Sequence, residues 1–309
     1  MTRHPQMAAA SGRLPYSASL RTQRGWKTAL IFVAPALILF TLFIVLPVIE
    51  AGHASFYNWN GLRAPSADKF IGFGNYEQLL ENKTFQRAIV NTLLIIASAL
   101  LIQLPMALGV AALLAGRRWG TITFRMIFFL PFILAEIAAG LIFRFVFDGD
   151  VGLVSTVGQY FGSEPIHLLS DRNYAIVTIL VVATWKYFGF HMMLYIAGMQ
   201  AIDRNLYEAA DIDGASDWQK FVHVTLPGLA STIRLSVFFA ILGCLQFFDL
   251  IVPLTGGGPL NSTHTIVSFL YYFGIARMRV GFGDAVGVTL FVICVIVAFG
   301  YKRWVMRGD

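Results

Sequence analysis

An all-α integral membrane protein with six transmembrane helices is the fold class this sequence predicts, and three observations predict it. Hydrophobic residues make up 57% of the 309 residues and charged ones only 13%, where a soluble domain has roughly 25% charged residues. Mean hydropathy is +0.68. The chain also contains six apolar runs, each close to the length of about 20 residues that crosses roughly 30 Å of hydrocarbon.

In chain order, the first 28 residues carry basic side chains with Ser, Ala and Pro and no periodicity, which predicts a cytoplasmic basic tail. The run at 29–49 follows. It has spanning length rather than the roughly 7–15 residues of a signal-peptide core, so it reads as an anchor that is retained. With the periplasmic segment after it, it makes up residues 29–84. The remaining runs, at 89–115, 126–147, 174–199, 235–254 and 285–301, form a core over 85–304, and 305–309 is a cytoplasmic C-terminus. Pro35, Pro105 and Pro131 fall inside runs, where neighbouring helices can satisfy the carbonyls they free.

Orientation follows from the basic residues. One side of the membrane receives Arg3, Arg13, Arg21, Arg24, Lys27, Arg117, Arg118, Arg125, Arg204, Lys220, Lys302, Arg303 and Arg307. The other receives Arg63, Lys69, Lys83, Arg87, Arg172, Arg277 and Arg279. Thirteen against seven places both termini in the cytoplasm by the positive-inside rule. The net charge of +6 is thereby explained by orientation, and because the bases gather at run ends rather than along one face, nucleic acid is not an expected partner. Cys244 and Cys294 lie in separate apolar runs without metal-ligand spacing and read as core-filling.

The most informative segment lies between the fourth and fifth runs, at 200–231. It is polar, with five acids and two bases, and contains Glu208-Ala209-Ala210-x3-Gly214-x9-Val224-x-Leu226-Pro227. Small Ala209 and Ala210 permit close backbone approach, Gly214 suits the positive φ of a helix end, and Pro227 suits the first turn of a following helix. Glu208 offers charge near a helix start. An ordinary surface helical hairpin is the competing reading of these residues.

This pattern resembles the cytoplasmic loop of the membrane-spanning permease subunits of bacterial ABC importers, which reads Glu-Ala-Ala-x3-Gly-x9-Ile-x-Leu-Pro; Val224 stands where Ile is usual. Tyr207 and Asp213-Gly214-Ala215 match as well. Asn75-Tyr76, Asn91-Thr92-Leu93, Phe129-Leu130-Pro131 and Thr255-Gly256-Gly257-Gly258-Pro259 follow the order seen in the carbohydrate-uptake branch, the maltose-type and glycerol-phosphate-type permeases. The resemblance implies the type I importer fold. It further implies a pore made with a second, similar permease as a hetero-dimer, and two ATPase subunits docked on the loop through Glu208, Ala209, Ala210, Gly214, Leu226 and Pro227. A periplasmic sugar-binding protein would sit on the exposed stretches 56–87 and 148–173.

Ionisable residues inside spans are candidates for the translocation path, since a charge at the bilayer centre costs at least about 2.5–3.5 kcal/mol. Glu136 falls mid-way along the third run, Lys186 in the fourth and Asp249 in the fifth. Trp185, Tyr187, Phe188, Gln246, Phe247 and Phe248 flank them, and aromatic faces beside hydrogen-bonding groups suit a sugar or glycoside. Glu136, Lys186, Tyr187, Gln246, Phe247 and Asp249 are therefore the candidate path; the alternative is an interhelical ion pair between Lys186 and one acid that only fixes packing. His191 reads as a packed or pore-facing residue and Arg144 as snorkelling to the interface.

No G-x-x-x-x-G-K-[ST], H-E-x-x-H or G-x-S-x-G motif occurs, so no cofactor is expected in this chain, and ATP and Mg would belong to the partner ATPase. The rival from another class is a stand-alone secondary transporter or channel, expected to show inverted repeats and broken helices. The sequence suggests neither.

Overall fold

The computed structural model describes residues 22–116 and 120–306. Of the expected tail at 1–28, residues 1–21 lie outside those described, as do Arg117, Arg118 and Arg307 of the orientation argument, and residues 22–28 are helical rather than an aperiodic tail. The described residues fall into two compact units, one ending at Glu50 and one beginning at Ala51. Among them the chain is helical, with no strand beyond a single bridge between Tyr57 and Phe70.

The first unit is helix and little else. α1 (Leu30–Ala54), whose last four residues, 51–54, belong to the second unit, has a mean hydropathy of 2.7 over its most apolar stretch, and Leu30, Phe32, Leu37 and Phe43 are all exposed. An apolar surface on every side is what a lipid-facing span needs.

In the second unit, α2 (Gly74–Glu81) and α3 (Lys83–Leu114) share one junction: the Asn82 side chain accepts from the N–H groups of Thr84 and Phe85 and caps α3. The next apolar run departs from expectation. It is two helices, α4 (Thr121–Ile133) and α5 (Glu136–Val146), bent by 96° at Leu134 and Ala135. α6 (Leu153–Tyr160) and the long α7 (Arg172–Gln200) follow. Then come α8 (Arg204–Ile212), α9 (Asp217–Gly228) and α10 (Ala230–Leu245), with a 66° bend between the last two. The fifth run also fails to continue as one helix. It opens at Gln246 before α11 (Ile251–Thr255), and α12 (Ile266–Ile275) and α13 (Val280–Trp304) complete the chain. Counting each bent pair once gives six candidate spans. The expectation of unbroken helices was wrong, so breaks alone do not separate an importer subunit from a secondary transporter.

Prolines account for much of the local geometry. Leu46-Pro47, Leu104-Pro105 and Leu226-Pro227 are each preceded by a five-residue π-turn, in which the Leu N–H donates to the carbonyl of Thr41, Ala99 or Phe221 respectively. A proline ring would clash with the carbonyl four residues back and has no N–H to offer it. Widening the preceding turn moves that carbonyl aside and keeps the helix continuous. Pro227 therefore sits in the first turn of the short segment Leu226–Gly228 that follows the widened turn, the position the sequence suggested, and that segment ends α9.

Small residues let the central helices close up. Ala107 and Ala111 of α3 are fully buried against Phe188, Met192 and Tyr195 of α7, the small-residue packing that serves helices in lipid. On another face of α7, a Cβ at Gly189 would lie 2.1 Å from the Phe128 carbonyl oxygen, so only glycine permits the approach of α4.

Candidate functional site

The break between α4 and α5 organises the site. Pro131 and the chain's departure at Leu134 leave carbonyls at the end of α4 without helical partners. Lys186, only 1% exposed, supplies the donors: its Nζ donates to the carbonyl oxygens of Leu134 at 2.6 Å, Pro131 at 3.2 Å and Phe132 at 3.4 Å. A cation at a helix C-terminus also meets the negative end of its dipole. The next residue on α7 holds the other half, since Tyr187 donates its hydroxyl to Glu136 Oε1 at 2.6 Å. Glu136 is the first residue of α5, where a carboxylate faces the positive helix end. It therefore stands at a helix start, at the break mid-way along the third span. Among the described residues Lys186 forms no salt bridge, so the ion pair with an acid is not formed.

Beside this break lies a cavity of about 330 Å³, a size within the range of small-molecule sites. Of the candidate path residues, Glu136, Tyr187, Gln246, Phe247 and Asp249 line it and Lys186 does not. Trp185 and Phe188 also point elsewhere, Trp185 against Phe143 and Phe188 against the Ala107 cluster. The face of α7 that lines the cavity carries Leu180, Ala183, Thr184, Tyr187, Phe190 and His191, which continue the i, i+3, i+4 and i+7 spacing of one helix side. Gln246 and Asp249 come from the open turn after α10, where the chain is not helical.

Sequence reasoning missed Gln103, Phe132, Phe239 and Cys244, which also line the cavity. Cys244 is half-buried; it packs against the core as expected and also faces the cavity. Gln103 carried a usable signal, being an amide within an apolar run two residues before a proline. It is 5% exposed.

The motifs that are remote in sequence meet behind the cavity. Asn91 Nδ2 donates to the carbonyls of Ser262 at 2.7 Å and His264 at 2.9 Å, and Thr92 Oγ1 accepts the Ile266 N–H. Thr265 Oγ1 in turn donates to the Phe247 carbonyl at 2.6 Å. The loop after Thr255 is thus pinned to α3 at one end and to the cavity wall at the other. Ser262, Thr263, His264 and Thr265 are all buried, and the last three offset the cost of that burial with side-chain hydrogen bonds to the Gly258 carbonyl, Ser268 and the Phe247 carbonyl respectively; the Ser262 hydroxyl has no partner among the described residues. Asn75 Nδ2 makes the corresponding tie near α2, donating to the carbonyls of Ser55 and Tyr57, while Tyr76 bonds the Ser55 hydroxyl.

A family model described as "Binding-protein-dependent transport system inner membrane component" matches residues 103–307. The chain belongs to this family. Similar curated proteins include the sulfoquinovosyl glycerol transport system permease protein of Agrobacterium fabrum, 34% identical over 91% of each chain. The lactose transport system permease protein of Rhizobium radiobacter is 32% identical over 91% of this chain and 92% of its own. The arabinooligosaccharides transport system permease protein of Bacillus subtilis is 30% identical over 91% of each. In fold, the chain is similar to a bacterial ABC transporter involved in the import of alginate, with a TM-score of 0.81 at 24% identity over 93% of this chain and 97% of that one.

As a member of that family the chain is a multi-pass inner-membrane transport subunit. Its 200–231 loop is built as two short helices. Asp203 caps α8 by accepting the Asn205 N–H, and α8 closes through Gly214, whose φ is +73°. There the Ala215 N–H reaches back to the Ala210 carbonyl at 2.9 Å, the bond that closes a left-handed helix end. Ser216 and Gln219 then form a reciprocal capping box that starts α9. Lys220 ties the two helices, 2.5 Å from Asp211 and 3.2 Å from Asp217. Its hydrogen bonds to Asp211 and then Asp217 hold its ammonium above the usual lysine range. Tyr207 bonds Thr225 across the same pair at 2.9 Å. Glu208 and Ala209 face outward, with Glu208 paired to Arg204 at 3.2 Å. Leu206, Ile212 and Trp218 are exposed nearby.

Proposed function

We propose that this permease subunit forms half of the translocation pore of an ATP-driven sugar importer, with Glu136, Tyr187, Gln246, Phe247 and Asp249 on the substrate path. The observation that carries the reading is the cavity itself: carboxylates, glutamine amides and phenyl faces converge where two spans are broken. Sugars present hydroxyls and apolar C–H faces to such a lining. The names of the relatives, which specify lactose, arabinooligosaccharide and sulfoquinovosyl glycerol transport, support a sugar or glycoside as the cargo.

A second, similar permease completes the pore, and a periplasmic sugar-binding protein delivers the cargo to the 56–87 and 148–173 stretches. Two ATPase subunits, holding ATP and Mg, dock on the 200–231 loop in the cytoplasm through Glu208, Ala209, Ala210 and Gly214. Leu226 and Pro227 act from the far end of α9, carrying its motion toward the bend before α10. The support for this role is the exposed apolar side chains around α8, which no other part of the chain covers among the described residues. Lys186 serves the path indirectly, by holding the break in place.

Purification of the tagged chain from its native membrane, followed by reconstitution of whatever assembles with it, tests the reading. The expected result is a complex with a second permease and two copies of an ATPase that imports a labelled sugar only with ATP and binding protein. Transport by this chain alone, driven by an ion gradient, would overturn it.

A further inference from the structure

We propose that the cavity accepts neutral or amine-bearing sugars and rejects anionic ones. This deepens the sugar-path reading above, on which it rests, by adding a charge class.

Two carboxylates, Glu136 and Asp249, line the cavity, and among the described residues no Lys or Arg does. Lys186, next to the lining residue Tyr187, is turned to the carbonyls of Pro131, Phe132 and Leu134 and is outside the lining, and His191, which does line the cavity, is hydrogen-bonded to Ser236. Glu136 has one oxygen engaged by Tyr187, while Asp249 is exposed to the cavity and has no hydrogen-bond or ionic partner among the described residues. Gln103 is the independent sign that a polar ligand belongs there. It is 95% removed from solvent in an apolar run, it lines the cavity, and its amide has no partner among the described residues.

Carboxylates only accept hydrogen bonds, so they take hydroxyl or ammonium groups. Gln103 and Gln246 both donate and accept, which suits hydroxyls in either role. A uronate, sulfonate or phosphate on the sugar would set like charges together in a confined site, where screening by water is weakest, and this subunit's share of the lining offers no Lys or Arg to compensate. An ammonium group on the sugar would instead find Asp249 unpaired.

Saturation-transfer NMR on the full chain in nanodiscs, with an equimolar mixture of glucose, glucosamine and glucuronate, reads this directly at the weak affinity expected of a transport path. The expected result is transfer to glucose and glucosamine at least about fivefold above glucuronate, from a like-charge repulsion of modest size. In Asp249→Asn, and separately in Glu136→Gln, glucosamine should lose its advantage and glucuronate should approach glucose. Transfer to glucuronate equal to that to glucose in the wild-type chain would overturn the charge preference while leaving the sugar path standing. Transfer to none of the three would overturn the sugar path, and the preference with it. Because the wild-type ranking is itself decisive, a variant that fails to insert leaves the test intact.

Discussion

Lys186 Nζ donates to the carbonyl oxygen of Leu134 at 2.6 Å, across the point where the third span breaks. With Tyr187 bonded to Glu136 on the other side of the break, two consecutive residues of α7 hold both ends of an interrupted helix. A bent span in lipid needs such partners, because no water is present to take the freed carbonyls. The same device appears at the end of α3, where the Arg125 guanidinium donates to the carbonyls of Leu114 and Ala115.

Replacing Lys186 by Met should therefore destabilise the break rather than merely alter the path. Buried acceptors left without donors cost about 1–3 kcal/mol each, offset in part by removal of a buried charge, so a net loss of about 2–5 kcal/mol is expected. Thermal unfolding in nanodiscs should fall accordingly, with faster amide exchange at Glu136–Ala139. Lys186→Arg should recover most of the loss, and neutralising Glu136 should recover none. Unchanged unfolding in Lys186→Met would remove the clasp from the account.

Tyr187→Phe isolates the other half of the clasp, since it deletes a hydroxyl and keeps the ring. A hydrogen bond to a charged group contributes about 1.5–3 kcal/mol. Uptake should drop several-fold with assembly intact, and Glu136→Gln, which keeps an acceptor oxygen for the phenol, should lose less uptake than Glu136→Leu. Equal uptake for Gln and Leu at this position would argue against the bond as the operative contact.

How much of this was legible in the sequence depends on the residue. Hydropathy located the apolar part of each of the six candidate spans, because spanning length is a property of the run itself. It could not show that the third and fifth open near Leu134 and Gln246, because the partners that make a break tolerable lie about fifty residues away on α7, or in the loop beyond Thr255. Glu136, Tyr187 and Asp249 were readable as costly or polar groups in hydrocarbon. Lys186 was equally conspicuous, yet charge alone could not say whether it turned to a cavity or to backbone carbonyls. Gln103 was overlooked since a single uncharged amide barely changes the average of an apolar run.

Topology can be checked by reporter fusions. The basic residues predict a cytoplasmic C-terminus, so a reporter after Asp309 should be active only inside the cell, and one near Lys69 or Asp171 only outside. A periplasmic signal after Asp309 would reverse the side on which the 200–231 loop lies, and ATPase docking there would be impossible.

The last prediction separates backbone strain from contact at that loop. Gly214 has φ of +73°, and a Cβ built on it meets nothing within 4 Å. Any penalty of substitution must then come from the left-handed conformation alone, which costs about 1 kcal/mol for an ordinary residue and more for a β-branched one. Asn tolerates this region, so Gly214→Asn should keep near-normal coupling, whereas Gly214→Val should open the end of α8 and release the Ala215 to Ala210 bond. Glu208→Lys tests the charge separately: it replaces an exposed ion pair with Arg204, worth under about 1 kcal/mol to stability, by a like-charge pair on the same helix face. Both Gly214→Val and Glu208→Lys should insert normally, bind less ATPase and lose sugar-stimulated ATP hydrolysis in nanodiscs, with Gly214→Asn as the control that shares the altered side chain but not the strain. Full stimulation in the Val and Lys variants would reduce the loop to an ordinary surface hairpin.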